Sequence, residues 1–274
     1  MVPAEDESAF PLQLMEKYHC LVAALKRAGH GTVAFSGGVD STLLLKAATE
    51  AYGADAVAVY LRSPLQKPRV LEVVRQSCQE LGCALRIVDV DPLSWPEFTA
   101  NSDLRCYHCK KKMYSYLASQ LPSEYKLLDG TNIDDLKQDR PGLQAVRELQ
   151  VLTPLVEAGL TKGAIRSLCR EFQLSCWNLP SESCLATRIA GGLAITPELL
   201  RDVAYGENFL EDRGFFGCRA RFDGKSVFIT LSQGDSRKFL ESGLREEVIN
   251  FFAKLNYTKV FLELSERPSI LNAY

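Results

Sequence analysis

No stretch of the 274-residue chain approaches the roughly 18 consecutive apolar residues that a membrane-spanning helix needs. Even the leucine-rich STLLLKAA is broken by Lys46. The opening MVPAEDESAF is acidic and lacks the basic-then-apolar order of an export signal, so the expectation is a cytoplasmic protein with no membrane attachment. Positive charge is not in excess: 32 Lys and Arg stand against 34 Asp and Glu, for a net charge of −2. The global electrostatic pull of a nucleic-acid binder is therefore missing. There is no internal repeat and no low-complexity tract. The phosphate-loop signature G-x-x-x-x-G-K-[ST] is absent as well, and with it the lysine that reaches the β- and γ-phosphates. What remains is ordinary for a globular chain, 46% hydrophobic and 24% charged, long enough for one large domain or two modest ones.

Cysteine, by contrast, is plentiful, with nine residues and an odd count. In a reducing compartment each is core filler, metal ligand or reactive thiol. Cys20 falls among Leu14, Tyr18, Leu21 and Leu25 on an amphipathic helix, which predicts a core position. Cys78, Cys83, Cys169, Cys176 and Cys218 have no ligand spacing and read as small packed hydrophobes. Cys106 and Cys109 form a C-x-x-C pair, and together with Cys184 they stand apart.

Apolar periodicity alternates between strand and helix over the first two-thirds. TVAFS, DAVAVYL, CALRIVDV and YKLLDG read as strands, with VLTPL as a further one. Helices are predicted over about 39–52 and 68–81, in the stretch after RCYHCKKK to about Leu121, and in TKGAIRSLCREF. Such alternation predicts an α/β fold, a parallel sheet with helices on both faces. From about residue 175 the pattern changes, and a small α+β domain is expected over 181–274 after a first domain over 1–180. Thr196-Pro197-Glu198 is a helix start, and CRARFDGKSVFITL reads as two strands around an Asp223-Gly224 turn, with KVFLEL as a last strand.

The string SGGVDS, residues 36–41, sits between a strand and a helix, an arrangement that aims backbone N–H groups and a helix dipole at an anion. Gly37 and Gly38 let phosphate oxygens approach the main chain. Ser36, Ser41 and Thr42 offer hydroxyls, and Asp40 can cap the helix or help hold a magnesium ion.

This string resembles the pyrophosphate (PP) loop of the N-type ATP pyrophosphatases, of adenine nucleotide α-hydrolase-like fold. The resemblance implies ATP held by Ser36, Gly37, Gly38, Asp40 and Ser41, with the α-phosphorus attacked and pyrophosphate leaving. RCYHCKKKMYSYL, LLDGTNIDDLKQDRPGLQA and PSESCLATRIAGG, taken with it, look like the LarE family of ATP-dependent sulfur transferases. That family adenylates the carboxylates of a pyridinium biscarboxylate mononucleotide and converts them to thiocarboxylates for a nickel-pincer cofactor. By resemblance, Cys184 is the sulfur-handling cysteine, with Arg188 four residues beyond it. Glu207, Arg219 and Arg221 are substrate-binding positions, and a homo-oligomer is implied. Arg219 and Arg221 are two apart, so on a strand they share a face and could grip one phosphate. A structural loop and a ligand contact stay equally open for Asp134, Asp135 and Arg140, while Arg105 is a weaker candidate. A tRNA thiolase and a non-catalytic ATP-binding sensor are the rival readings, CKKK being the one candidate basic patch for the former.

In some members of the family, three cysteines at the positions of Cys106, Cys109 and Cys184 hold a [4Fe–4S] cluster, and the resemblance implies one here. The alternatives are a zinc site completed by His108 or Cys176, a redox dithiol that resolves Cys184, or a plain helix-start pair, with Cys184 then giving up its own sulfur.

Overall fold

The computed structural model describes residues 9–138, 140–180 and 182–267. In chain order its elements are α1 (Ala9–Ala28), β1 (Gly31–Ala34), α2 (Val39–Tyr52), β2 (Val57–Arg62), α3 (Arg69–Glu80), β3 (Ala84–Asp89), α4 (Pro96–Thr99) and α5 (Arg105–Ser119). There follow β4 (Lys126–Leu128), α6 (Pro141–Glu148), α7 (Pro154–Glu157), α8 (Lys162–Glu171), α9 (Pro197–Glu211), β5 (Arg219–Phe222), β6 (Ser226–Thr230), α10 (Asp235–Glu241), α11 (Arg245–Lys254) and β7 (Lys259–Leu262). The chain forms two units: Met1–Arg62, Pro68–Val90 and Cys106–Leu179 make the first; Ser63–Lys67, Asp91–Arg105 and Pro180–Tyr274 make the second. Two short upstream segments thus join the C-terminal unit, which the linear division at residue 180 does not capture.

The first unit is built on a four-stranded parallel sheet in the order β3-β2-β1-β4. Its strands alternate between two cores. Val33, Ala58, Tyr60 and Leu128 pack with Leu21, Leu25, Leu43, Leu44 and Leu168 of α1, α2 and α8. Val59, Val88 and Leu127 pack with Tyr114, Leu117 and Val146 of α5 and α6. Side chains that point to opposite faces and are apolar on both are what a sheet covered by helices on each side requires. The α/β architecture expected from the sequence is the one observed. Among the described residues no helix is long and apolar enough to cross a membrane.

Three local expectations are corrected. VLTPL contributes only an isolated bridge, Leu128 to Leu152, because Pro154 has no N–H for a ladder and instead opens α7 at its first position. RCYHCKKK is not a polar lead-in; it forms the first turns of α5 itself. Cys20 is exposed: the buried stripe of α1 runs Tyr18-Leu21-Leu25, at helical spacing, and Cys20 lies off it. Cys78, Cys169, Cys176 and Cys218 are buried and Cys83 half-buried, as small packed residues are.

In the second unit β5, β6 and β7 form a sheet in that order, antiparallel then parallel. The Asp223 carboxylate accepts from the N–H groups of Lys225 (2.9 Å) and Ser226 (2.6 Å), which closes the predicted turn. Thr196 caps α9, its hydroxyl accepting from Leu199 N–H at 3.2 Å, with Pro197 next. Phe222, Phe252 and Tyr257 meet edge-on in the core, at 6.2 and 4.8 Å between ring centres.

Candidate active site

The chain reverses direction across the first sheet between β1 and β4: β1 leads outward to β2 and β3, and β4 returns to the other side of β1. Ligands of open parallel sheets bind at the carboxyl ends of strands flanking such a switch. SGGVDS follows β1 and DGTN follows β4. Their approach is close: a Cβ on Gly130 would lie 3.1 Å from the Ser41 nitrogen.

Within the loop, Gly37 takes φ +76°, a left-handed conformation, and a Cβ there would meet Val74 Cγ2 at 3.1 Å. The hydroxyls of Ser41 and Thr42 donate to the Gly38 carbonyl at 3.0 and 2.9 Å. Ser36 N–H and Ser36 Oγ both reach Ser41 Oγ, at 3.3 and 3.1 Å. Ser41 and Thr42 are buried and tie the loop to α2, while Ser36 and Gly38 are the exposed members. Gly38 holds the N-cap position and no side chain caps α2.

Asp40 therefore does not cap the helix. Its carboxylate accepts from Asn132 Nδ2 at 3.1 Å and pairs with the Lys162 ammonium. Sequence reasoning assigned neither partner. The signal for Lys162 was present: it is the first residue of α8, where a cation opposes the helix dipole, so its place there asks for a carboxylate or another anion. Around it the DGTNIDD stretch is a scaffold. Asn132 Oδ1 accepts from Asp134 N–H (2.8 Å) and Asp135 N–H (3.2 Å), and Asp135 accepts from Asn132 N–H (3.1 Å) and pairs with Arg140 (2.7 Å). Asp134 accepts from the Lys162 N–H at 2.8 Å. Asp134, Asp135 and Arg140 thus hold the turn that presents Asn132 and Lys162.

Asp129, buried at the end of β4, accepts from the Tyr114 hydroxyl, from Thr131 N–H at 2.8 Å and from Lys110 Nζ at 2.9 Å. Burial alone would push this carboxyl up; Lys110, Thr131 and Tyr114 outweigh it, and it sits below the ordinary aspartate value. Lys111 pairs with Glu148 at 2.7 Å, so two of the three lysines in CKKK are held by carboxylates of this unit.

Cys106 and Cys109 are three apart in the first turns of α5, hence on one face, and both are half-buried. Cys184 belongs to the second unit, where it precedes a short 3₁₀ turn, Leu185–Arg188. Within either unit, no group of three or more His, Cys, Asp and Glu among the described residues is gathered as a metal site. Cys176 is buried beside Cys169 and Thr42, not with Cys106 and Cys109, so it does not complete a zinc site.

In the second unit Arg188 is almost fully buried and pairs through Nε with Glu207 Oε1 at 2.8 Å. Its Nη1 donates to the carbonyls of Ser183 (2.7 Å) and Cys184 (3.1 Å). Burial pushes the Glu207 carboxyl up, but Arg188 and then Lys67 outweigh it, so the group lies below its ordinary value. Arg188 and Glu207, expected at the substrate, are thus engaged with each other. Arg219 and Arg221 do share a face of β5, opposite buried Ala220 and Phe222. Arg219 donates to Ser183 Oγ at 2.7 Å, and Arg221 faces Glu263 at 3.1 Å. Burial, with Arg188 and Arg267 close by, brings the Arg219 guanidinium down to about 10.

No family model matches the chain. It is 34% identical over 230 residues to the pyridinium-3,5-bisthiocarboxylic acid mononucleotide synthase of Lactiplantibacillus plantarum, covering 83% of each chain. An uncharacterised protein of Synechocystis is 34% identical over 85% of this chain and 87% of its own. An uncharacterised protein of Methanocaldococcus jannaschii is 28% identical over 85% and 88%. At 34% identity to the synthase over 83% of its length, the chain belongs to the LarE family.

Proposed function

We propose that this protein is an ATP-dependent sulfur transferase that turns the carboxylates of pyridinium-3,5-biscarboxylic acid mononucleotide into thiocarboxylates in the cytoplasm. The similarity to the L. plantarum synthase over both units is the observation that carries the reading. In the first step a substrate carboxylate oxygen attacks the α-phosphorus of ATP, the α–β bond breaks, and pyrophosphate leaves. The Gly37–Gly38 backbone and Ser36 cradle the departing phosphates, and Lys162 supplies the cation that the loop itself lacks. Asp40, held by Asn132 and Lys162, would help hold magnesium, whose charge would offset that of the pyrophosphate.

Adenylation makes the carboxyl carbon electrophilic and gives it AMP as a leaving group; a sulfur nucleophile then adds and AMP departs. Arg219 and Arg221, with their field on one strand face, are assigned to the substrate phosphate. Cys184 is assigned to the sulfur. If its own thiolate attacks, the resulting thioester is released by β-elimination: the Cβ–S bond breaks, the Cα proton is lost, and dehydroalanine remains. Cys106, Cys109 and Cys184 are thiolate donors of the type that hold [4Fe–4S] clusters, and such a cluster would supply an expendable sulfide so that Cys184 survives. Anaerobic iron and sulfide analysis, beside peptide mass spectrometry for dehydroalanine at Cys184, separates the two routes.

The engagement of Lys110 and Lys111 with Asp129 and Glu148 favours a small-molecule substrate over tRNA. Assembly as a homo-oligomer is part of the same reading, tested by light scattering. The reaction itself is tested by mass spectrometry of the pyridinium mononucleotide after incubation with protein, ATP and magnesium.

A further inference from the structure

A chain of buried charge runs through the second unit beyond the residues assigned to chemistry. Lys67, at the end of the upstream segment Ser63–Lys67, places its ammonium 2.9 Å from Glu207 Oε2 and 2.9 Å from Glu211 Oε1. Glu207 and Glu211 are four apart on α9 and so lie on one face. Glu207 holds Arg188, and Arg188 holds the Ser183 and Cys184 carbonyls. Lys67, Glu207, Glu211 and Arg188 are only 4%, 1%, 6% and 4% exposed, two cations against two carboxylates. The same segment makes a second attachment: the Leu65 carbonyl accepts from Leu185 N–H, next to Cys184, at 2.8 Å.

We propose that Lys67 is a positioning residue for Cys184, fixing the Arg188 guanidinium through Glu207 and so holding the Ser183–Cys184 backbone in place. The importance of that placement rests on the assignment of Cys184 to sulfur handling; the mechanical link does not. Its logic is electrostatic. Without a cation between them, two buried carboxylates on one helix face cannot both stay ionised. One must take a proton or swing away, and when that one is Glu207, Arg188 loses the partner that orients it. Around the pair, the Cys218 thiol donates to the Glu207 backbone carbonyl at 3.7 Å, and the field of Arg219 and Arg267 reaches Glu207. The Lys67 ammonium reaches both carboxylates directly. If charge balance is what matters, removing Glu211 together with Lys67 leaves Glu207 and Arg188 as a matched pair and restores the grip.

The test is amide hydrogen exchange, read by mass spectrometry on the full chain, in wild type, Lys67→Met and the double variant Lys67→Met/Glu211→Gln. The amides of Leu185 and Thr187, bonded to Leu65 O and Cys184 O at 2.8 and 3.0 Å, report on the loop. Lys67→Met is expected to speed their exchange by about tenfold or more while α2 is unchanged, and the double variant to return within about twofold of wild type. The kcat for thiocarboxylate formation should fall and recover in parallel, with the KM for ATP constant. Unchanged exchange in Lys67→Met, or fast exchange in a folded double variant, would overturn the proposal. If Lys67→Met does not fold, the double variant decides alone. A wild type that makes no thiocarboxylate counts against the sulfur-transfer reading, and the exchange comparison still decides the role of Lys67.

Discussion

Two charged clusters, one in each unit, handle charge in opposite ways. In the first, the pair of Asp40, in the SGGVDS loop, and Lys162 is about one-fifth exposed and is steadied by a neutral amide, Asn132. In the second, Lys67, Arg188, Glu207 and Glu211 are enclosed, and each answers another. A part-exposed pair can exchange its partner for a bound magnesium or phosphate at little cost. An enclosed network cannot, because removing one member strands another in a low-dielectric interior. The difference suggests one cluster whose charges can open to a ligand and another whose charges hold a backbone still.

The largest effect that would break this comparison is on stability. Glu207→Leu takes from buried Lys67 and Arg188 the carboxylate they share and should cost about 3–5 kcal/mol by urea denaturation. Asp40→Ala should cost less than about 1 kcal/mol, since its pair is partly solvated, yet abolish substrate-dependent pyrophosphate release. Equal destabilisation by the two would erase the distinction. The same contrast appears in acid. Glu207 has its folded value below the ordinary 4.5, so its contribution is fully present above that pH and is lost as the pH falls through the lower folded value. Glu207→Leu should therefore flatten the acid limb of stability, and an unchanged limb would mean that the network carries no such linkage.

Next in size, replacing Arg219 and Arg221 together by Gln should weaken the pyridinium mononucleotide by about 10–100-fold, the worth of one or two charge-assisted bonds to phosphate, while ATP binding survives. Calorimetry with each ligand separates this from a folding defect, which would lower both. A stability change between those of Glu207→Leu and Asp40→Ala is expected for Gly37→Ala. Its φ of +76° and the nearby Val74 should cost about 1–2 kcal/mol and raise the KM for ATP, leaving affinity for the mononucleotide intact.

Much of this was legible in the sequence. SGGVDS announced its strand, turn and helix because glycine at a left-handed position and an apolar helix behind it are local features. Thr196-Pro197 and Asp223-Gly224 were readable for the same reason. Lys162 and Lys67 were not. Each lies far in sequence from the carboxylate it meets, 122 residues from Asp40 for one and 140 or more from Glu207 and Glu211 for the other. Periodicity reports which face of a helix is buried and not which charge will be waiting there. Cys20 failed for a related reason: apolar neighbours in sequence are not neighbours on the buried stripe. VLTPL failed because an apolar run of strand length was interrupted by a proline that starts a helix.

The central claim is that the two units together carry out adenylation followed by sulfur transfer. Its most direct test is mass spectrometry of the pyridinium mononucleotide after anaerobic incubation with the protein, ATP and magnesium, with the nucleotide products separated in the same sample. The account predicts one thiocarboxylate for each AMP and each pyrophosphate released. An unaltered mononucleotide, or ADP and inorganic phosphate in place of AMP and pyrophosphate, would contradict it.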